Sequence, residues 1–376
     1  MSSTVIVRYG ELALKSEPVR RRFERTLIES IENALGDIRH SIRTERGRIF
    51  IETSSAARTT KILSRIPGIT SLSPAVRTNA SLDAIKIQAA KIAKKVLSPG
   101  MTFAIRTSRA GEHAFSSREV NVEVGSLVLS LIKGTKVDLS HPDVEISIEV
   151  RGNDAYVFSS TIRGVGGLPV GTQGKVLAIL SGSMNDAAAF LMLKRGCKVT
   201  PLFFDTTNRL SHPATKRVIL QAKRLSLFGA DDHLWVFPFR KILGLIQEKT
   251  DEKTSFFIRR RCELRAAEIV ARKTAAEAIV TGDDAELIEG TMLTNLNAID
   301  GVCKLAVLRP LSCMEEDEIK EICEKIGLKH ANRALPHQAK IDVAINIEEL
   351  LKLEKILNVE KIIDDASKKT KRIKVG

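Results

Sequence analysis

The chain has 376 residues, 43% of them hydrophobic and 28% charged. That is enough to bury the cores of two or three domains, and it argues against wholesale disorder. Its 59 lysines and arginines outweigh 45 acidic residues, leaving a net charge of +14 that suits a polyanionic partner or a solvated basic surface.

The five cysteines show no CxxC spacing, which speaks against a disulfide framework or a zinc site, and no metal site is expected. No apolar run reaches the roughly 20 residues of a membrane span. The opening MSSTVIVRYG reads as a strand and not as a signal peptide. A soluble, cytoplasmic protein is expected.

The first block, residues 1–57, predicts a strand at Thr4–Tyr9 and a helix at Glu17–Leu35 with Phe23, Leu27, Ile31 and Leu35 on one face. Ser16 can cap that helix, Pro18 suits its first turn and Gly36 ends it. Strands follow at Ile38–Arg43 and Arg48–Thr53, and the order β-α-β-β is part of a ferredoxin-like split motif. The second block, 58–165, predicts helices at Ala57–Arg65, Ser81–Lys95 and near Ser117–Lys133. Its strands are Ser71–Arg77, Thr102–Thr107, Val144–Val150 and Asp154–Ile162. A glycine-rich linker, 166–174, comes next.

From 175 to 340 the pattern changes to β-α-β units: strands Val176–Leu180 and Lys198–Phe204, helix Asp186–Arg195, helix Arg260–Thr274, strands Ala278–Thr281 and Leu305–Leu308, and helix Glu315–Ile326. This predicts a doubly wound parallel sheet, with Pro201 counting against a fully central second strand. Residues 341–376 read as C-terminal helical structure and a basic tail.

Ligands of such sheets sit at the carboxyl ends of the strands. There the sequence places Ser181-Gly182 before a helix whose amides can cradle an anion, or make an ordinary turn. It also places Phe203-Phe204, able to sandwich a flat base, and Gly282 followed by Asp283-Asp284, which can hold a metal through phosphates or cap a helix. Arg260, read as opening a neighbouring helix, can hold a phosphate. Arg21 and Arg22, and Arg106 with Arg109, can grip nucleic-acid phosphates or face solvent. Only 4% of residues are aromatic, so backbone and shape recognition of a folded RNA fits better than base stacking. Four cysteines read as packed structural groups; Cys313, at the carboxyl end of a strand, is the one weak catalytic candidate.

Several stretches resemble the tRNA 4-thiouridine synthetase (tRNA sulfurtransferase) family. They are VIVRYGELALKS (5–16), the segment 136–171, IRRRCELRAAEIV (258–270), IVTGDDAEL (279–287) and TNLNAIDGVCKLAVLRPL (294–311). The resemblance implies a ferredoxin-like domain, a THUMP domain that binds tRNA, and a PP-loop-type domain of the adenine nucleotide hydrolase-like class. It implies adenylation of uridine O4 by ATP with Mg2+, then displacement of AMP by sulfur from a persulfide donor protein or sulfide. It also implies ATP contacts at Ile179, Leu180, Ser181, Gly182, Phe203, Phe204, Arg260 and Gly282. A link to thiamine sulfur supply and a homodimer are left open.

The chain departs from the family pattern, as an atypical member would. The family loop reads SGG-x-D-S; SGSMND keeps only Ser181 and Gly182, and Asp186 adds charge where phosphate should lie. Phe203 replaces the usual His and Thr291 the usual Gln. Ala339 stands where the family's catalytic cysteine is expected, in RALPHQAK (333–340). The alternative reading is a THUMP-type tRNA-binding protein whose PP-loop domain no longer catalyses thiolation.

Overall fold

The computed structural model describes residues 3–11, 15–45, 47–283, 292–328 and 345–376. The chain divides into two compact units, Met1–Gly167 and Leu168–Gly376.

The first unit runs β1 (Ser3–Tyr9), α1 (Glu17–Leu35), β2 (His40–Glu45), β3 (Arg48–Thr53), α2 (Ala56–Leu63), β4 (Ile69–Asn79), α3 (Leu82–Val96) and β5 (Thr102–Ala110). It continues with α4 (Ser117–Leu131), β6 (Lys136–Val137), β7 (Val144–Arg151), β8 (Asp154–Phe158) and β9 (Ile162–Arg163). The four-residue apolar repeat of α1 is buried as its periodicity demands, although Ser16 makes no side-chain cap bond. A capping box between Ser116 and Glu119 fixes the start of α4.

β4 is the element that joins this unit. Its first part, Ile69–Ala75, pairs antiparallel with β1, and its last part, Val76–Asn79, pairs with β8. A sheet of order β2-β3-β1-β4-β8-β7-β5-β6 results, with β9 also on β4. The strand expected at Ser71–Arg77 therefore completes the β-α-β-β motif begun by β1, and the ferredoxin-like arrangement runs past residue 57. Strand alternation sorts the side chains. Phe103, Ile105, Ile146 and Ile148 face α3 and α4, while Ile6, Phe50, Tyr156 and Phe158 form a separate cluster. That second cluster is roofed by arginines: the Arg8 guanidinium lies 5.2 Å from the Phe158 ring centre and that of Arg43 lies 4.8 Å from Phe50.

The second unit runs β10 (Lys175–Leu180), α5 (Ala187–Arg195), β11 (Lys198–Asp205), α6 (Pro213–Ser226), β12 (His233–Pro238), α7 (Arg240–Lys249) and α8 (Glu252–Thr274). Then come β13 (Ala278–Val280), α9 (Met292–Asp300), β14 (Ala306–Leu308), α10 (Glu316–Ile326), α11 (Ile347–Ile356), α12 (Val359–Ser367) and β15 (Lys371–Lys374). The sheet order is β14-β13-β10-β11-β12-β15. All pairs are parallel except β12–β15. This is the doubly wound sheet that the β-α-β pattern predicts. Pro201 lies within β11, between two neighbours, but the ladder to β12 begins only at Leu202.

Two expectations change. Arg260 does not open its helix: α8 starts at Glu252, where the Asp251 side chain accepts the Thr254 amide. Residues 371–374 are not a loose tail but an edge strand. The preceding helices also belong to this core, since Leu350, Leu357, Val359 and Ile363 pack with Phe257, Ile258 and Cys262 of α8. The Glu354 carboxylate, only 6% exposed, accepts from Arg261 Nε at 2.8 Å and Nη2 at 3.0 Å, and from Arg265. Removing one partner of such a pair strands a buried charge. Glu354→Ala should destabilise the protein by about 3–5 kcal/mol, read as a lowered urea midpoint; a loss under about 0.5 kcal/mol would show that the C-terminal helices are not part of the folding unit.

Candidate functional site

The carboxyl ends of β10, β11 and β13 bring Leu180, Phe203 and Gly282 to one edge of the sheet. After β10 the chain turns through Ser181 and Gly182, whose φ of 78° is the left-handed region that glycine tolerates. A one-turn 3-10 helix, Met184–Asp186, leads into α5. The loop is tied to β13: Asn185 Nδ2 donates to the Gly282 carbonyl at 2.5 Å. A Cβ at Gly282 would stand 2.7 Å from Asn185, so the close approach requires glycine there.

The loop amides are engaged from within. Asp186 is 1% exposed, and its carboxylate accepts the Ser181 amide at 2.7 Å and the Gly182 amide at 3.0 Å. Burial pushes this carboxyl up to about 7 against the pull of those bonds. The sequence marked Asp186 as unwelcome charge; the structure shows that the charge sits on the amides themselves.

Arg260 and Arg309 converge on Asp283, just past β13. Arg260 bonds Asp283 and, at 3.1 Å, Glu263. Arg309 Nε lies 3.0 Å from Asp283 and its terminal nitrogens bond Asp300. Thr281 donates to Asp283 at 2.8 Å. Burial works to raise the Asp283 carboxyl, but the two guanidiniums hold it below its ordinary range. Asp283 thus serves as an anchor for arginines and not as a free metal ligand. Asp284, Thr291 and the RALPHQAK segment with Ala339 lie outside the described residues.

Phe203 and Phe204 do not form two walls around one base, because successive strand residues face opposite sides. Phe204 packs 5.2 Å from Phe239 and 5.7 Å from Phe237, within the core cluster that Ile179 also joins. Leu180 and Phe203 lie side by side in the register of β10 and β11.

In the first unit the expected Arg106–Arg109 pair is split across β5. Arg109 lies on the helix-facing side, 6.0 Å from the Phe115 ring, and Arg106 lies on the other. Arg21 is exposed and bonded to Glu17, one turn earlier on α1, and Arg22 lies over Phe23. Sequence reading missed a larger cluster. Arg8, Arg48 and Arg106 line a cavity of about 270 Å3 together with Asn121 of α4. There Arg8 and Arg48 bond Glu149, which is 3% exposed. Thr107 Oγ1 and Asn121 Oδ1, also lining it, are buried without a partner among the described residues. These arginines are scattered through the sequence, and only the strand register gathers them.

The cysteines separate clearly. Cys197, Cys262 and Cys323 are buried, and burial raises the thiols of Cys197, Cys262, Cys303 and Cys323, to about 12 for Cys262 and about 11 for Cys303 and Cys323. Cys313 is exposed in the turn between β14 and α10. Brief maleimide treatment of the native protein should label Cys313 alone, and denaturant should expose the other four; peptide mass spectrometry reads this, and rapid native labelling of Cys262 or Cys323 would contradict the packing.

Among the described residues no helix is long and apolar enough to cross a membrane. Three family models match in order along the chain: the ThiI ferredoxin-like domain at 4–73, the THUMP domain at 79–160 and Thiamine biosynthesis protein (ThiI) at 171–341. A probable tRNA sulfurtransferase of Methanosarcina mazei is 34% identical over 336 residues, covering 87% of this chain and 83% of its own. One from Methanothermobacter thermautotrophicus is 35% identical, with 86% and 84% covered. Among solved structures, a 4-thiouridine synthetase in complex with RNA and bound ATP matches with a TM-score of 0.86 at 27% identity, covering 99% of both chains. A Pyrococcus horikoshii protein matches at 0.69 and 28% identity, with 86% of this chain and 99% of that one covered.

Proposed function

Because this chain belongs to the ThiI family of tRNA sulfurtransferases, we propose that it uses ATP to convert a tRNA uridine to 4-thiouridine. The observation that carries the reading is the meeting of the Ser181-Gly182 turn, Gly282 and Arg260 at the carboxyl edge of a parallel sheet. That edge is where such sheets bind nucleotides.

The chemistry follows from the poor leaving ability of a carbonyl oxygen. Uridine O4 attacks the α-phosphorus of ATP and pyrophosphate leaves. Sulfur then adds at C4, and the C4–O bond breaks with departure of AMP. In this reading the backbone after Ile179 and Leu180 and around Gly282 meets the adenine, with Phe203 and Phe204 lending one apolar side chain to each face of the sheet. The phosphates lie beside the Ser181-Gly182 turn, whose two amides bond Asp186. Arg260 supports that edge through Asp283 and does not stand as a free phosphate ligand. Asp283 is committed to Arg260, Arg309 and Thr281, so magnesium would be held by the nucleotide's phosphates, where it would offset their charge. The sulfur comes from outside the chain, as sulfide or a persulfide on a donor protein, because Ala339 carries none.

The RNA partner is tRNA, and the arginine face of the first unit is its surface. Arg8, Arg43, Arg48 and Arg106 supply positive charge there. Work on tRNA places the protein in the cytoplasm.

Two measurements test this reading. Nucleoside mass spectrometry of tRNA from a strain lacking the protein should show 4-thiouridine gone, and restored by the wild-type gene; unchanged thiolation would leave an RNA-binding protein without this activity. Binding of tRNA should weaken steeply with salt, and Arg106→Ala should reduce the slope of log K against log salt by about 1. An unchanged slope would take Arg106 out of the RNA surface.

A further inference from the structure

The loop between β10 and α5 already contains an anion. One Asp186 oxygen accepts the Ser181 amide at 2.7 Å and lies 3.2 Å from the Ser181 hydroxyl; the other accepts the Gly182 amide at 3.0 Å. Successive amides that converge on one anion form the nest that phosphates also use.

Among the described residues, the other charged and titratable groups nearby do not neutralise it. From α10 the Cys323 thiol donates to the Met184 carbonyl at 3.4 Å, and burial keeps that thiol protonated. From α6, Arg217 stands beside Gly182 and is exposed to solvent. Past β13, Asp283 is held by Arg260 and Arg309.

The loop that carries Asp186 is closely packed on both sides. Val218 Cγ2 lies 3.1 Å from where a Gly182 Cβ would stand, and Asn185 ties the other side of the loop to Gly282. Swinging Asp186 out would break the loop, whereas protonating it requires no movement. The neutral acid keeps its shape, and its hydroxyl can donate to Ser181 Oγ.

We propose that Asp186 gates the nucleotide site by its own charge, accepting a polyphosphate when the carboxyl is protonated and opposing it when ionised, so that nucleotide binding takes up one proton from solvent. The inference rests on the nucleotide reading given above. Burial sets the carboxyl near neutrality, at about 7, so the gate operates within the range a cell experiences. A phosphate brought close to the ionised form would raise that value further, and this is the origin of the uptake.

Titration calorimetry of the full chain with ATP and excess magnesium, in buffers of different ionisation enthalpy, counts the protons. At pH 8 the wild type should take up close to one proton per nucleotide. Its affinity should be about tenfold weaker at pH 8 than at pH 6. Asp186→Asn, the isostere of the neutral acid, should bind without proton uptake, with equal affinity at both pH values, and about tenfold tighter than wild type at pH 8. Wild-type binding without uptake, or an Asn variant that keeps the wild-type pH slope, overturns the gate while leaving the nucleotide reading intact. If the wild type binds no nucleotide at any pH, the nucleotide reading fails and the gate with it. Should the variant not fold, the wild-type proton count decides alone.

Discussion

Asp283 is the point on which the nucleotide side of the molecule depends. Its carboxylate, 7% exposed, receives Arg260 from α8, Arg309 from beyond β14 and Thr281 from the end of β13. Arg309 in turn holds Asp300 at the end of α9. One anion therefore fixes the mutual positions of four segments around the carboxyl edge of the sheet. A buried ion pair of this kind adds little net stability compared with an apolar filling, but losing one partner is expensive. Its effect is geometric: it holds the chain around Gly282 where Asn185 can reach it.

The same network explains why Arg260 reads differently in sequence and in structure. Its place in IRRRCELRAAEIV suggested a free arginine at a helix start. In fact α8 begins two turns earlier, at Asp251-Glu252, and Glu263 and Asp283 engage the two terminal nitrogens, while Nε is buried without a partner among the described residues. Helix periodicity could not show this, because α8 is buried on several sides and carries charged residues such as Arg261 and Glu263 inside. Their partners, such as Glu354, lie far along the chain, and sequence spacing is blind to them.

Elements with strong local signals were legible. The α1 repeat, the buried run of β10 and the capped α10 all follow from apolar period and terminal residues. The stretch from α6 through α7 is not among the predicted elements, although Pro213 opens α6 and Gly229 follows its end, and β15 is four residues of mostly basic sequence whose strand character comes only from pairing with β12. The arginine face of the first unit was illegible for a related reason. Arg8, Arg48 and Arg106 sit on three strands, and one residue of register shift would have turned any of them to the other side. Arg106 and Arg109 looked like neighbours in sequence, yet their odd spacing puts them on opposite faces.

The sulfur chemistry is constrained by what the cysteines can do. A nucleophilic sulfur must be ionised or readily ionisable and must reach the adenylated carbon. Cys197, Cys262, Cys303 and Cys323 fail the first requirement, because burial holds their thiols protonated. Cys313 is exposed, in a turn that solvent thiols can reach. A covalent persulfide relay normally needs a partner sulfur held opposite the first, and none of the other four is free to play that part. Sulfide removes the requirement, because it adds at C4 with no S–S bond to cleave afterwards; a donor persulfide leaves a disulfide to the C4 sulfur, which a second thiol brought with the donor must break. In that case the chemistry asks of the protein only that the adenylated uridine be held where sulfur arrives, with water kept from the same carbon.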